Sequence, residues 1–197
     1  MDKIILASSS PRRKELLEQA GIPFVVMPSS IDESKVELSG TPEIMAEQLA
    51  HAKALDVAGK ATSGGIVVGA DTIVACDDEI FGKPIDDDDA FRMLKKLNGR
   101  EHFVITGISI INAGSGHEKM VHEKTRVMFA PLTDKEILAY IRTGEPRGKA
   151  GAYAVQGKGA LLVRGLEGCY SNVVGLPLRK LADTLNSMGI NVITKIW

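Results

Sequence analysis

The segment from Ser8 to Arg13 combines three serines, a proline and two arginines. Ser10 followed by Pro11 is typical of a helix start, with serine at the N-cap and proline in the first turn. The free backbone N–H groups at such a helix end attract anions. Arg12 and Arg13 add guanidinium groups whose geometry matches phosphate oxygens. The segment therefore predicts a phosphate site that includes Ser8, and a capped surface helix with solvated arginines is the alternative.

A carboxylate interrupts the most apolar segment of the chain, Ile66 to Cys76. Asp71 lies in its middle, and burying a carboxylate costs free energy unless it is hydrogen-bonded, paired or bound to a metal. Glu33, in the sequence Ile-Asp-Glu, is a second candidate carboxylate. We predict that Asp71 is functional, and the alternative is an aspartate bonded to backbone groups at the end of a strand.

Two lysines, Lys53 and Lys83, complete a set of residues suited to a polyphosphate. Such a substrate needs cations around its oxygens, carboxylates to hold Mg²⁺ or Mn²⁺, and a base that orients water. Arg13 and the two lysines can supply the cations, and Glu33 and Asp71 the other roles. The combination predicts hydrolysis or transfer at phosphate if the fold brings these residues together, whereas each lysine taken singly is expected on the surface.

Short β-rich segments alternate with helical ones, which predicts an α/β protein with a mixed, bent central sheet flanked by helices around a cleft. Strands are predicted at residues 4–7, 24–27, 66–76, 101–112, 120–129 and 192–197, with a glycine-rich β region at 148–168. Helices are predicted to begin near residues 11, 41, 133 and 177, and residues 84–89 are predicted to lead into a further helix. The apolar face predicted for the second helix consists of Ile44, Met45, Leu49, Ala52 and Leu55. Since no linker or repeat divides the chain, we predict one domain over residues 1–197.

The composition argues against several classes of protein. Hydrophobic residues make up 44% and charged residues 25%, as in ordinary globular proteins. A net charge of −1 gives no overall basic field for a nucleic acid. No stretch resembles the ~20 apolar residues that cross a bilayer, so no membrane partner is expected. Two cysteines form no disulfide framework, and the first residues lack the apolar core of a secretory signal, which favours the cytoplasm.

Two clusters resemble metal sites but have structural explanations. His117 and His122 are five residues apart, which puts them ~140° apart on a helix and on opposite faces of a strand. The acidic run from Asp86 to Asp89 precedes Lys95 and Lys96, and this order of charges suits the dipole of a helix. We therefore predict no metal at either cluster.

Six motifs, in order along residues 5–178, resemble those of the Maf family of nucleoside triphosphate pyrophosphatases. They read ILASSSPRRKELL, IDE, VVGADTIV, FGKP, GKAGAYAVQGKGA and VVGLPL. The resemblance implies an elongated, two-lobed α/β fold with a central cleft, akin to inosine triphosphatases. It also implies a divalent metal cation (Mg²⁺, Mn²⁺ or Co²⁺), a cytoplasmic location and frequent homodimers. The implied reaction is NTP + H₂O → NMP + diphosphate.

The resemblance also implies roles for particular residues. Asp71, in the Gly-Ala-Asp-Thr motif, matches the general base of the family, and Glu33 matches a carboxylate of the cleft. These two residues are the candidate catalytic carboxylates and also the candidate metal ligands, and Glu33 could take either role. The phosphate-binding residues of the family match Arg13, Lys53 and Lys83, and Ser8 lies in the matching N-terminal loop.

Three further positions favour the branch of the family that acts on dTTP and UTP: Arg12, Thr72 and Gln156. The amide of Gln156 can accept a hydrogen bond from N3–H of uracil or thymine and donate one to a neighbouring carbonyl. The sister branch, which acts on 7-methyl-GTP, carries an aromatic residue at the Arg12 position, where it suits a cationic purine. This chain has no aromatic residue there. For Gln156 the alternative is a structural role in a glycine-rich hairpin.

Two other functions are weighed against hydrolysis. One is a non-enzymatic, nucleotide-binding regulator, because the family has been linked to inhibition of septum formation. The complete set of acidic and basic residues around Asp71 argues against it, since binding alone does not require that set. The other is a nucleic-acid-binding module, which the net charge of −1 and the 5% aromatic content disfavour. The expected partner is therefore a small-molecule nucleotide.

Overall fold

The computed structural model of the 197-residue chain describes residues 3–61 and 64–196. Its strands are β1 (Ile4–Leu6), β2 (Phe24–Val26), β3 (Ile66–Cys76), β4 (Glu79–Phe81), β5 (Glu101–Asn112), β6 (Glu118–Phe129) and β7 (Val163–Glu167). Its helices are α1 (Pro11–Gln19), α2 (Pro42–Ala58), α3 (Asp87–Leu97), α4 (Asp134–Ile141), α5 (Tyr170–Val174), α6 (Leu178–Ser187) and α7 (Ile193–Ile196). Short 3₁₀ segments lie at Glu33–Lys35, Ala150–Ala152 and Gly157–Leu162.

The strands form a mixed sheet in the order β2-β1-β3-β5-β6-β7, with β4 paired to β3. Strand β1 is parallel to both neighbours, so Ile5 has Val25 as its partner on one side and Val67 on the other. Strands β4 and β7 run antiparallel to β3 and β6. Helix α1 makes the crossover between β1 and β2 that parallel strands require. These pairings confirm the mixed α/β class predicted from the sequence.

The chain divides into two compact units. The first comprises residues 1–71, 106–123 and 175–197, and the second residues 72–105 and 124–174. Each has an apolar core of its own, formed in the first around Ile5, Ala54, Val67 and Ile111, and in the second around Phe81, Leu94, Phe129 and Ile137. One domain over residues 1–197 stays a prediction. Among the described helices, none combines the length and the apolar character needed to cross a membrane.

Helix α2 packs closely on strands β3 and β5 of the first unit. A Cβ atom built on Gly69 would lie 2.2 Å from the carbonyl oxygen of Ala50, and one on Gly107 would lie 2.3 Å from the carbonyl group of Ala46. Ala46, Ala50 and Ala54 are fully buried. Residues without bulky side chains on both partners therefore let the helix backbone approach the strands.

This close packing corrects the predicted apolar face of α2. The spacing of apolar residues predicts that Ile44 and Leu55 lie in the core, but their side chains are 45% and 56% exposed. The buried face is formed instead by Ala46, Leu49, Ala50, Lys53, Ala54 and Val57. A large aliphatic side chain does not fit where the helix backbone nearly touches the sheet, so the alanines face inward.

Several predicted helix starts and strands are confirmed. The acidic run begins α3, where Asp86 is the N-cap and accepts a hydrogen bond from the backbone N–H of Asp89. Thr133 and Glu136 form a capping box at the start of α4. Strands β3 and β5 have the bounds predicted for them.

The glycine-rich β region predicted at residues 148–168 is wrong for most of its length. It contains two 3₁₀ segments, and only β7 is a strand. Gly148, Gly151 and Gly157 have φ values of 71°, 67° and 63°. This left-handed conformation turns the chain and is incompatible with a continuous strand.

The strand predicted at residues 192–197 is also wrong. Residues 193–196 form the short helix α7, and Trp197 lies outside the described residues. The side chain of Asn191 accepts a hydrogen bond from the backbone N–H of Thr194. A local bond of this kind favours a turn over an extended chain, although the isoleucines of this segment suit a strand.

A buried cluster of three rings lies in the second unit. His102, Phe129 and Tyr153 are in T-shaped contact, with centroid distances between 4.7 and 5.4 Å. Nε2 of His102 lies 2.7 Å from the hydroxyl oxygen of Tyr153, whereas Nδ1 has no hydrogen-bond partner in the described part of the chain. Burial lowers the pKa of His102 to about 4 and raises the pKa of Tyr153. His102 is therefore neutral in the folded protein near pH 7.

Replacing Gly69 with alanine is expected to destabilise the protein, because the new methyl group would meet the backbone of α2. Overpacking of this kind costs about 1–3 kcal/mol in the free energy of unfolding, which urea denaturation measures. Gly82→Ala is the matched control, since a Cβ atom there meets nothing within 4 Å. Unchanged stability of Gly69→Ala would contradict the close packing of α2.

The stability of the protein is expected to fall between pH 6.5 and pH 4 because of His102. In the unfolded chain this histidine binds a proton as the pH falls through 6.5, whereas the folded protein binds it only near pH 4. Protonation therefore favours the unfolded state, by at most about 3 kcal/mol. Urea unfolding at pH 7 and pH 4.5 should show a smaller loss for His102→Gln than for the unmodified protein. The control is His117→Gln, which alters an exposed histidine and should keep the full loss.

Candidate active site

The buried face of helix α2 carries one charged residue, Lys53, which is 8% exposed. Its Nζ atom donates to Oδ1 of Asp71 at 2.5 Å and lies 2.9 Å from Oε1 of Glu33. Three separate segments of the first unit thus meet at one ammonium group. A buried charge is stable when it is paired and hydrogen-bonded in this way.

Asp71 lies in strand β3, two residues after Gly69, the glycine against which α2 packs. Its side chain is 13% exposed. Within the described residues, Lys53 is the one donor to the Asp71 carboxylate, and it contacts Oδ1. The second oxygen, Oδ2, is therefore available to a water molecule or another ligand.

Glu33 begins a 3₁₀ segment in the loop between β2 and α2, and Asp56 holds that loop in place. The carboxylate of Asp56 accepts hydrogen bonds from the backbone N–H of Ser30 at 2.9 Å and from the hydroxyl of Ser29 at 3.0 Å. It also pairs with Lys60, and these contacts lower its pKa to about 2. Asp56 lies one turn beyond Lys53 on α2, so the same helix binds Glu33 and tethers its loop.

Arg13 is fixed by contacts within the first unit. Its Nε atom donates to the carbonyl oxygen of Gly175 at 2.8 Å, and its Nη1 atom donates to Oγ of Ser8 at 3.1 Å. The hydroxyl oxygen of Ser8 also accepts the backbone N–H of Ser10 at 3.2 Å. Burial lowers the pKa of the Arg13 guanidinium, and Asp71 acts in the opposite direction. Arginine stays charged despite such a shift, so a fixed cation lies close enough to the Asp71 carboxylate for the two charges to interact.

Arg12 lies next to Arg13 on α1, and its charge contributes to lowering the pKa of that side chain. The predicted site residues that the first unit brings together are Ser8, Arg13, Glu33, Lys53 and Asp71, and Arg12 belongs to the same unit. The remaining three, Thr72, Lys83 and Gln156, belong to the second unit.

The second unit presents its three candidates on a strand and two loops. Thr72 follows Asp71 directly on β3, and Lys83 is exposed in the loop after β4. Gln156 is half-buried at the start of the 3₁₀ segment Gly157–Leu162, and its side chain forms no hydrogen bond with the described residues. Its amide can therefore bind a ligand without breaking a bond to the protein.

A clamp formed by Glu145 fixes the backbone next to Gln156. The Glu145 carboxylate accepts the backbone N–H groups of Lys158 at 3.0 Å and Gly159 at 2.8 Å, and the hydroxyl of Tyr140 at 3.0 Å. Burial acts to raise the pKa of Glu145, but these hydrogen bonds outweigh it and lower the pKa below its usual value.

Three groups that fix candidate residues were missed by sequence reasoning: the carboxylate of Asp56 and the carbonyl of Gly175 in the first unit, and the carboxylate of Glu145 in the second. Asp56 lies on the helix of Lys53, three residues further on, which is the one local signal that marks it. Its bonds to Ser29 and Ser30 join residues 26–27 positions apart, and the bond between Arg13 and Gly175 spans 162 positions. No periodicity or spacing of the sequence predicts such contacts.

The two carboxylates around Lys53 suit a divalent cation that arrives with a phosphate ligand. Both contact the same nitrogen atom, so their oxygens lie close together. Mg²⁺ usually takes one or two protein carboxylates and completes its shell with water and substrate phosphates. Over residues 3–61 and 64–196, no group of three or more His, Cys, Asp or Glu residues could hold a metal by itself. The donor set therefore fits a metal site shared with a ligand.

The fold and the site define a mixed α/β protein whose first unit carries a half-buried cluster of cations and carboxylates. The chain belongs to the family described as Maf-like protein, whose sequence profile matches residues 3–188. A protein of Ruminiclostridium cellulolyticum named dTTP/UTP pyrophosphatase is 55% identical to it over 193 residues, which cover 98% of this chain and 100% of that protein. A protein of the same name from Pelotomaculum thermopropionicum is 50% identical with the same coverage.

Among solved structures, a HAM1 protein from Coxiella burnetii is similar to this chain with a TM-score of 0.48 and 16% identity. The similarity covers 95% of this chain and 100% of that one. The fold class rests on the observed strands and helices rather than on this distant likeness.

Proposed function

We propose that this protein hydrolyses dTTP and UTP to the nucleoside monophosphate and diphosphate. The observation that carries the proposal is the cluster in which Lys53 contacts both Asp71 and Glu33, whose charges also act on Arg13. This cluster occurs in a member of the Maf-like family that is 50–55% identical, over nearly its whole length, to proteins named dTTP/UTP pyrophosphatase. A regulator that only bound the nucleotide would not need two carboxylates next to the cations.

Asp71 is the general base in this proposal. In the nucleotide-free protein Lys53 contacts its Oδ1 atom, and in this proposal Oδ2 accepts a proton from the attacking water. The water oxygen forms a new bond to the α-phosphorus. The bond that breaks is the anhydride bond between the α-phosphorus and the oxygen that bridges to the β-phosphate. The electron pair of that bond leaves with the diphosphate.

The cations bind the triphosphate and stabilise the charge that develops on the leaving diphosphate. Arg13 is held in place by the Gly175 carbonyl and by Ser8, so it loses little side-chain freedom when it binds an anion. Ser8 lies next to it with a hydroxyl group that can bind a phosphate oxygen. Lys53 and the exposed Lys83 supply two further charges.

Asp71 and Glu33 would hold a divalent cation (Mg²⁺, Mn²⁺ or Co²⁺), which when bound neutralises phosphate charge and makes a coordinated water more acidic. This assignment is supported by the positions of the two carboxylates. Both contact the Nζ atom of Lys53, so their oxygens lie close together. Asp56 keeps Glu33 in position by tethering its loop to α2.

Gln156, Arg12 and Thr72 select the base. Uracil and thymine present two hydrogen-bond acceptors, O4 and O2, with one donor, N3–H, between them. The Gln156 amide can accept from N3–H and donate to a neighbouring carbonyl, while Arg12 and Thr72 supply further donors. Cytosine presents an amino group and an acceptor instead, and each mismatched buried polar group costs ~1–3 kcal/mol.

The physiological partner is accordingly a small nucleotide, and the cytoplasmic location and the homodimer remain predictions.

Asp71→Asn should lower kcat by ~10² to 10⁴, because asparagine keeps the shape of the side chain but cannot act as a base. The measurement is the rate of diphosphate release from dTTP at saturating substrate. Asp183→Asn is a suitable control, since it changes a carboxylate paired within α6 and should keep normal turnover. Near-normal turnover in Asp71→Asn would falsify the assignment of the base.

A panel of nucleoside triphosphates tests the proposed function itself. With Mg²⁺, Mn²⁺ or Co²⁺, dTTP and UTP should be hydrolysed well ahead of CTP, ATP and 7-methyl-GTP, with monophosphate and diphosphate as products. Gln156→Ala should reduce the preference for UTP over CTP roughly tenfold to a hundredfold, more than it reduces total activity. Gln19→Ala, at an exposed glutamine, is the control. If 7-methyl-GTP is the best substrate, the protein belongs to the other branch, and if no triphosphate is cleaved, the proposal fails.

A further inference from the structure

The carboxylates proposed to bind a metal already have a cation. Nζ of Lys53 lies 2.5 Å from Oδ1 of Asp71 and 2.9 Å from Oε1 of Glu33. An ammonium group at these distances neutralises part of the charge that would attract a divalent cation. In the free protein, a metal that bound both carboxylates would have to compete with this lysine.

The competition is strong because the lysine is buried. Lys53 is 8% exposed on the packed face of α2, where the attraction between charges is larger than in water. If Lys53 lost both carboxylates without gaining a new partner, a charged ammonium group would stay buried and unpaired, which is costly. The ion pairs therefore break readily only when another anion replaces the carboxylates.

A triphosphate is an anion of the required kind. Lys53 has a flexible side chain with three N–H donors, so it can exchange a carboxylate oxygen for a phosphate oxygen without movement of the helix. The carboxylates can stay in place meanwhile, because Asp71 is part of strand β3 and the loop of Glu33 is tethered by Asp56. The Lys53 ammonium group can therefore change partners, while the carboxylates of Asp71 and Glu33 stay in place.

We propose that Lys53 is a resident counter-ion, which weakens the binding of divalent metal to the free protein and releases the carboxylates when a nucleotide binds. The inference rests on the proposed nucleotide substrate and adds a coupling between the two ligands. By linkage, the nucleotide strengthens metal binding by the same factor as the metal strengthens nucleotide binding. Lys53 would contribute to that factor in addition to its contact with phosphate.

The first experiment measures Mn²⁺ binding to the nucleotide-free protein by electron paramagnetic resonance. Lys53→Met removes the ammonium group but keeps a side chain of similar length, so Mn²⁺ should bind roughly ten- to a hundredfold more tightly than to the unmodified protein. Lys180→Met is the matched control for the change in net charge, since Glu123 is the partner of Lys180 among the described residues and the lysine is 41% exposed. Its Mn²⁺ affinity should equal that of the unmodified protein.

A second variant and a fold measurement keep this result interpretable. Lys53→Ala leaves room for water around the carboxylates, and Mn²⁺ should raise the melting temperature of both Lys53 variants more than that of the unmodified protein. Far-UV circular dichroism identifies the variants that fold. If the folded variants bind Mn²⁺ no more tightly than the unmodified protein, Lys53 is not a competing counter-ion and the inference is overturned.

The coupling is tested with a non-hydrolysable dTTP analogue that has a methylene group between its α- and β-phosphates. The analogue should tighten Mn²⁺ binding by a larger factor in the unmodified protein than in Lys53→Met, whose carboxylates are already accessible. Equal factors would contradict the proposed exchange. Because Mn²⁺ binding to the free protein needs neither nucleotide nor turnover, this inference and the proposed function can fail separately.

Discussion

A buried ammonium group between two carboxylates is the interaction on which the arrangement of the first unit depends. Lys53 joins helix α2 to the centre of strand β3 and to the loop before α2. Well-packed apolar residues often stabilise a core as well as a buried ion pair does, so such a pair is weak grounds for stability alone. Its value here is chemical, because it holds the proposed base, a second carboxylate and a cation within a few ångströms of one another.

The ion pairs depend in turn on the close approach of α2 to the sheet. Gly69 and Gly107 leave no side chain between helix and strands, and the alanines of α2 fill the narrow space. The helix is therefore held at a fixed height above β3, and the lysine reaches Asp71 two residues beyond Gly69. Local backbone chemistry and long-range electrostatics specify the same geometry, which is typical of sequences that fold to one structure.

Much of the site could be predicted from the sequence where the signal is local. Asp71 is conspicuous because its neighbours in β3 are apolar, and Ser10 with Pro11 marks the helix that carries Arg13. The inward orientation of Lys53 follows from the family resemblance but not from hydropathy, since the pattern of α2 favours Ile44 and Leu55 as core residues and only the glycines of the sheet exclude them. The turns after Lys149 could not be predicted, because glycine permits both turn and strand conformations and the clamp of Glu145 comes from outside the segment.

The three-residue separation of Lys53 and Asp56 also limits how the length of the chain can vary. An inserted residue between them would rotate one about 100° around the helix axis relative to the other and shift it about 1.5 Å along that axis. Lys53 could then no longer contact Asp71 and Glu33 while Asp56 contacts Ser29 and Ser30. Insertions and deletions are therefore excluded from this turn of α2, whereas the exposed turn at residues 114–116 between β5 and β6 can change in length without disturbing the register of the helix.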